Sequence, residues 1–437
     1  MKKFIILILL TLFSTSLFSE DKNITNKFGS AQIQILNFPI YAGSIDCIPM
    51  KQALDLYSSS YKLFTKAYFK AFPLDENKLK NFLIIFPPAL LTTLFFTPLT
   101  HEEAHRSILT NKKIGSISQP FFNKNLAAYV KGVKDYELIG LRDTDFSSFI
   151  RLHTAGIESD YCLMQTDFEN LVFNGQNNID GFLEDGIDYI GRFSSIFSYL
   201  FILPNIFFID SEKFLTEETD ELKRDIVGHD VYGMIHHLYN PHAEYHRYWD
   251  PCDFSKEELS FAKRIGFLNL FNIPLISPIL FNKFHFSIGE YHIISFNTGY
   301  ALAPFGDFID ERIYYGYYGG ISPVRISLYI REYGNKERFF PAFGIKLIQY
   351  SFFDWLTINI EGHFWIQPEN LDFNTKKGRP GGAFSSTLMF IPQDQKLIFG
   401  KFGLYLEFLI KSKGFLPEIE SHDFYWQLTT GISFKLN

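Results

Sequence analysis

The sequence predicts an α+β protein: a helical domain followed by an antiparallel β-domain. Three observations predict it. Up to about residue 280, apolar residues recur at helical spacing or in long runs. From about Phe284 their period changes to two. Aromatic residues make up 18% of the 437 residues, with 50 Phe and 24 Tyr, an excess that favours β-structure or a surface against lipid. Such a length allows two or more domains with full cores. A net charge of −7 and a pI of about 6.0 exclude the basic footprint of a nucleic-acid partner. A hydrophobic content of 46% excludes a conventional many-span helical membrane protein.

Four segments follow: a signal peptide over 1–19, a lead-in segment over 20–80, a helical domain over 81–282 and a β-domain over 283–437. Met1-Lys2-Lys3, the apolar run Phe4 to Leu12 and the small residues near Ser19 have the order of a secretory signal. Export allows disulfides, but Cys47, Cys162 and Cys252 are far apart and no pair is selected; three buried thiols fit equally. In the lead-in, Leu54, Tyr57, Tyr61, Phe64 and Tyr68 predict a helix over Lys51 to Phe72.

Asn81 to Leu99 is apolar and interrupted by Pro87-Pro88 and Pro98. About eighteen such residues form the lower edge of a membrane span, and a buried broken helix explains them equally. Directly after comes His101-Glu102-Glu103-Ala104-His105. On a helix, residues four apart share a face, so both imidazoles can reach one Zn²⁺. Glu102 stands where a carboxylate can take a proton from an activated water. Thr100 and Glu103 also form a capping-box pattern, which would start a helix at His101; a helix kinked at Pro98 reconciles the two.

Asp143 to Phe173 reads as a further helix, with Glu158 amid apolar positions. Ile187 to Phe208 and Phe261 to Phe281 are apolar runs broken by Pro204, Pro274 and Pro278. Between them lie His229, Asp230, His236, His237, His242 and His246; Pro241 fits the start of a helix presenting His242 and His246 on a solvated face. In the last third, Val324, Ile326, Leu328 and Ile330 alternate with Arg325, Ser327, Tyr329 and Arg331. Similar alternation over 356–361, 401–408 and 424–436, with turn residues between, predicts about eight to nine strands.

The H-E-x-x-H run resembles the zincin metallopeptidases, of the gluzincin type. That resemblance implies a Zn²⁺ cofactor, His101 and His105 as ligands, Glu102 as the catalytic base and a third ligand from a Glu on a later helix. Glu158 is the best candidate, since a carboxylate among apolar residues needs a partner and Ala155-Gly156 would let its helix approach the motif helix closely. His229 or Asp230 could enter from another segment, and His153 and Asp160 are further alternatives. Tyr161 or His229 could stabilise an oxyanion. The C-terminal pattern resembles a small outer-membrane β-barrel, apolar outside and polar inside, which implies membrane lipid as a partner. The joint expectation is a zinc metallopeptidase of the bacterial cell envelope acting on a peptide or protein. An outer-membrane location is favoured, and an inner-membrane protein with a periplasmic β-domain is the alternative. The competing class is a non-enzymatic barrel with a helical plug or adaptor.

Overall fold

The computed structural model describes residues 34–42, 49–119, 128–173, 179–202, 218–249, 251–276, 284–395 and 400–436. The expected signal peptide and Cys47 lie outside the described residues. Strand β1 (Gln34–Ala42) leads into α1 (Met50–Ala71) and α2 (Lys78–Leu91). A π-helical turn (Thr92–Phe96) joins α2 directly to α3 (Thr97–Asn111). After the small hairpin β2 (Ile117–Gln119) and β3 (Tyr129–Lys131) come α4 (Asp135–Thr144), α5 (Phe146–Phe173) and α6 (Ile179–Phe197). A second π-helical turn (Ser198–Ile202) closes α6. Then follow α7 (Asp230–Tyr239), α8 (Lys256–Leu268) and a 3₁₀ segment (Asn269–Ile276). The single helix expected over 143–173 is two, because Asp145 is non-helical and ends α4.

The last third is all strand: β4 (Phe286–Ile288), β5 (His292–Ala303), β6 (Gly306–Tyr317), β7 (Val324–Gly334), β8 (Phe339–Phe353), β9 (Leu356–Pro368), β10 (Gly378–Phe390), β11 (Gly400–Lys411) and β12 (Tyr425–Leu436). Neighbours from β4 to β12 pair antiparallel in chain order, and β1 pairs with β12 from Gln34↔Leu436 onwards. The C-terminal block thus holds nine strands, within the eight to nine expected, and β1 makes the sheet ten-stranded. Its extra edge comes from the lead-in segment, where no strand is expected.

The expected barrel is not closed. Among the described residues no ladder joins the edge strands β1 and β4. Helical elements lie on both edges instead. Ser59 of α1 donates to the Asn37 carbonyl of β1 at 2.8 Å. Asn272 of the 3₁₀ segment exchanges two hydrogen bonds with the Tyr300 backbone of β5, at 2.8 and 2.9 Å.

The sheet is built inside out relative to a water-soluble one. On β7, Arg325, Ser327, Tyr329 and Arg331 point inward and are buried, while Leu328 and Ile330 point outward and are 42% and 57% exposed. Phe343, Ile345, Phe364, Phe402, Leu404, Phe408, Trp426 and Leu428 continue the exposed apolar face across the neighbouring strands. The polar inner face is satisfied by α5. Tyr161 donates to Asp310 of β6 at 2.8 Å, Gln165 accepts from Asn297 of β5 at 3.1 Å, and Glu169 pairs with Lys346 of β8 at 2.8 Å. One long buried helix thus packs on the polar face of the sheet, with a cavity between them lined by Tyr161, Glu169, Arg331, Lys346 and Glu361. Its other face meets α3 and α6, where the motif residues lie.

Candidate metal centre

Helical backbone is continuous from Lys78 to Asn111 and passes through Pro87, Pro88 and Pro98. A proline ring presses on the carbonyl four residues before it. The π-helical turn Thr92–Phe96 inserts one residue per turn just before Pro98 and absorbs that strain. His101 therefore sits inside a helix, not in a first turn. Thr100 does not cap: its hydroxyl bonds back to the Thr97 carbonyl at 3.2 Å. Glu103 is turned to Arg106 and Ser118.

His101 and His105 project from α3 onto α5, and Asp230 enters from the first turn of α7. Their donor atoms all lie within 4.8 Å of one another, and all three residues are buried. The Asp230 Oδ2 is 3.1 Å from His101 Nε2 and 3.5 Å from His105 Nε2. The far ring nitrogens are also held. His105 Nδ1 lies 2.6 Å from the Leu152 carbonyl, and His101 Nδ1 lies 3.0 Å from Asp160 Oδ2. Asp160 in turn accepts from Arg192 at 2.8 Å and from Ser195 at 2.7 Å. Arg192, completely buried on α6, also reaches Asp188 and the Thr100 hydroxyl.

This geometry dictates proton positions. A carbonyl only accepts, so His105 donates from Nδ1, and its Nε2 faces the Asp230 carboxylate. Between that nitrogen and the carboxylate lies either a second proton or a cation. His101 is caught between two carboxylates and needs either a second proton or a cation at Nε2. Burial pushes the Asp230 carboxyl up, but the two imidazoles outweigh it and hold the group well below the usual carboxylate range. Two imidazole nitrogens and a carboxylate oxygen, with acceptors behind both rings, form a donor set able to hold a metal ion.

Two glycines make the convergence possible. A methyl group at Gly156 would collide with the Nε2 atoms of both His101 and His105. Only a bare α-carbon lets α5 pass under the ligands, as the close approach of Ala155-Gly156 suggests from sequence. Gly228 has φ +61° and lies against the Arg247 carbonyl, where a side chain would not fit. Its turn delivers Asp230 to the centre.

Glu158 is not part of this cluster. It lies two residues beyond Gly156, about 200° round the helix, and faces away. There it forms a fully buried pair with Arg151 at 2.6 Å and accepts from the Glu418 backbone at 2.8 Å. The need for a partner is real, but Arg151 meets it. Asp160, an alternative ligand from sequence, instead orients His101 from behind. Tyr161 is committed to Asp310. His229 stands beside Asp230, but its ring packs on Tyr232 with centroids 5.4 Å apart. His153 is buried next to His237, ring centroids 5.5 Å apart. His242 and His246 lie on irregular backbone, so the helix expected from Pro241 does not form.

Glu102 is buried one residue from the first ligand, within the electrostatic reach of Asp230 and Asp225. Tyr199, at the second π-helical turn, stacks on His101 with centroids 4.9 Å apart and planes at 17°. Sequence reasoning missed Arg192 and Tyr199. The only available signal was one arginine in an otherwise apolar run, four residues after Asp188.

No protein-family model matches the chain, and searches of curated proteins and of solved structures return no match.

Proposed function

We propose that the protein is a zinc-dependent metallopeptidase of the bacterial cell envelope, with His101, His105 and Asp230 as the metal ligands. The carrying observation is the convergence of His101 Nε2, His105 Nε2 and an Asp230 carboxylate oxygen, all buried and within 4.8 Å of one another, a donor set that a divalent cation would satisfy. Zinc held there supplies a Lewis acid for a carbonyl and lowers the pKa of water. Asp160 and the Leu152 carbonyl hold the Nδ1 protons, so that both Nε2 atoms are aimed at the centre. Glu102 takes the proton from the attacking water and passes it to the leaving amine. Arg192 holds the Asp160 carboxylate charged behind His101, so that the ring does not rotate when substrate enters.

The membrane setting is the second part of the proposal. Leu79, Leu83, Phe86, Leu90 and Leu94 form one exposed stripe on the helix that ends in the motif. The stripe accompanies the apolar outer face of the sheet, and a lipid environment accounts for both. In this reading the sheet is a lipid-facing wall whose opening is filled by helices. The strand lengths of 11 to 15 residues in β5 to β12 support an outer-membrane location. The concave side is occupied by α5 and its ion pairs, which speaks against an open pore.

The test is metal analysis together with turnover. Protein purified in detergent should hold near one zinc per chain. Glu102→Gln should keep the zinc and lose about 10²- to 10⁴-fold in kcat on a quenched-fluorescence casein. Absence of zinc, or full activity in Glu102→Gln, would overturn the proposal.

A further inference from the structure

We infer that the cavity between α5 and the sheet binds a zwitterionic peptide the size of a dipeptide, its carboxylate on Arg312 and Gln165 and its ammonium on Glu418. The cavity lies on the face of α5 opposite the metal centre and does not depend on it. It measures about 210 Å³, many times the room of one water. Its α5 wall runs from Tyr161 to Glu169, and charged side chains of both signs line it.

The two ends differ in charge. At one end, Arg312 and Arg331 share a single carboxylate: Asp310 accepts from Arg312 at 2.9 Å and from Arg331 at 2.8 Å. That leaves a surplus of positive charge. Arg312 Nε is buried and finds no acceptor among the described residues, and neither does the side-chain nitrogen of Gln165. Both residues line the cavity. They are also neighbours, since Arg312 is the cross-strand partner of Asn297, which donates to Gln165 at 3.1 Å. Buried N–H groups without acceptors are costly, and one carboxylate satisfies both.

At the other end the surplus is negative. Glu418 lines the cavity with Lys51 and Asp55, and its carboxylate makes no hydrogen bond or ion pair among the described residues. The charge of Lys51 is already shared by Asp55 at 2.9 Å and Glu407 at 3.4 Å. Glu418 also holds φ +70°, left-handed backbone that a residue with a side chain adopts at a cost and that recurs at ligand clamps. Its N–H is fixed on Glu158 at 2.8 Å, which sets the level of this end along α5. Seven residues separate Glu158 from Gln165, about 10 Å of helix. An extended dipeptide of about 7 Å, with about 2.8 Å for a hydrogen bond at each end, spans that distance. A single amino acid is too short.

The test is calorimetric titration in detergent with alanylalanine. Glu102→Gln serves as the parent protein, so that the probe is not hydrolysed. The parent should bind alanylalanine. N-acetyl-alanylalanine, alanylalanine amide and free alanine should each bind at least tenfold more weakly, the loss of one charge-assisted hydrogen bond. Glu418→Gln in that parent should bind alanylalanine at least tenfold more weakly and no longer distinguish it from the N-acetyl form. Arg312→Gln should likewise no longer distinguish it from the amide. If Arg312→Gln does not fold, the Glu418→Gln titrations decide alone, because that carboxylate holds nothing else in place. No binding by the parent up to about 10 mM, or undiminished binding by Glu418→Gln, overturns the proposal. Binding by a parent that holds no zinc supports this site while failing the metal reading, so the two are separable.

Discussion

Gly156→Ala is the sharpest single perturbation, because it adds one carbon where the two proposed metal-ligating nitrogens converge. A methyl at that position would overlap both His101 Nε2 and His105 Nε2. Neither ring can turn away cheaply, since Nδ1 of one is tied to Asp160 and Nδ1 of the other to the Leu152 carbonyl. The helices α3 and α5 must therefore separate, or both imidazoles must shift by roughly an ångström. Zinc tolerates ligand displacements of only about 0.2 Å. Overpacking of this kind costs about 1–3 kcal/mol, and each 1.4 kcal/mol is a factor of ten in affinity. If that cost falls on the metal-bound geometry, zinc affinity drops about 10- to 100-fold. The assay is competition with a chromogenic chelator, alongside thermal unfolding. Gly140→Ala is the control, because a methyl there meets nothing within 4 Å; it should bind zinc as wild type does. Gly156→Ala binding zinc as tightly as wild type would refute the proposed ligand geometry.

Three further outcomes separate the ligands from their surroundings. Glu158→Gln should destabilise the fold by about 3–5 kcal/mol, because it leaves the Arg151 charge buried without its partner; the folded fraction should nevertheless hold its full zinc, as metal analysis after gel filtration would reveal. Two buried imidazoles of the helical core should each contribute less stability in acid. Burial holds the His153 imidazole down to about 4 and the His237 imidazole down to about 2, against an unfolded value near 6.5. The unfolded chain binds these protons first, so their contribution is fully present above pH 6.5 and falls below it. The loss is about 1.4 kcal/mol per pH unit for each, roughly 2 kcal/mol each by pH 5; the stability of wild type relative to His237→Gln should therefore fall by about 2 kcal/mol between pH 6.5 and 5 in thermal melts. Ile330→Arg distinguishes lipid from water at the sheet surface: at an exposed site in water the change costs within about 0.5 kcal/mol, whereas at a bilayer midplane it costs about 2–4 kcal/mol. Folding into lipid vesicles should therefore be impaired for Ile330→Arg, and unimpaired folding would count against the membrane setting.

The period-two alternation made the sheet legible, down to which face of β7 carries Arg325 and Arg331. Sequence did not reveal that Gln34–Ala42 joins the sheet, because strand pairing across nearly the whole chain leaves no local mark. Nor did it show the opening between β1 and β4, since closure depends on which edges meet and not on the pattern within a strand. His101, Glu102 and His105 were legible as a motif, and Gly156 as a close approach. The third ligand was not. Glu158 and Asp230 are both acids near apolar residues, and sequence does not tell which face of α5 turns toward α3. That choice is made by Gly156, whose missing side chain puts the ligands on one face and sends Glu158 to Arg151 on another.

The most direct measurement is the zinc content of Asp230→Asn beside that of wild type, both folded and exhaustively dialysed. The geometry predicts near one zinc per chain in wild type and a loss of most of it in Asp230→Asn, since the amide neither carries the charge nor completes the donor set. Full zinc retention in Asp230→Asn, or no zinc in wild type, would contradict the assignment of His101, His105 and Asp230 as the metal centre.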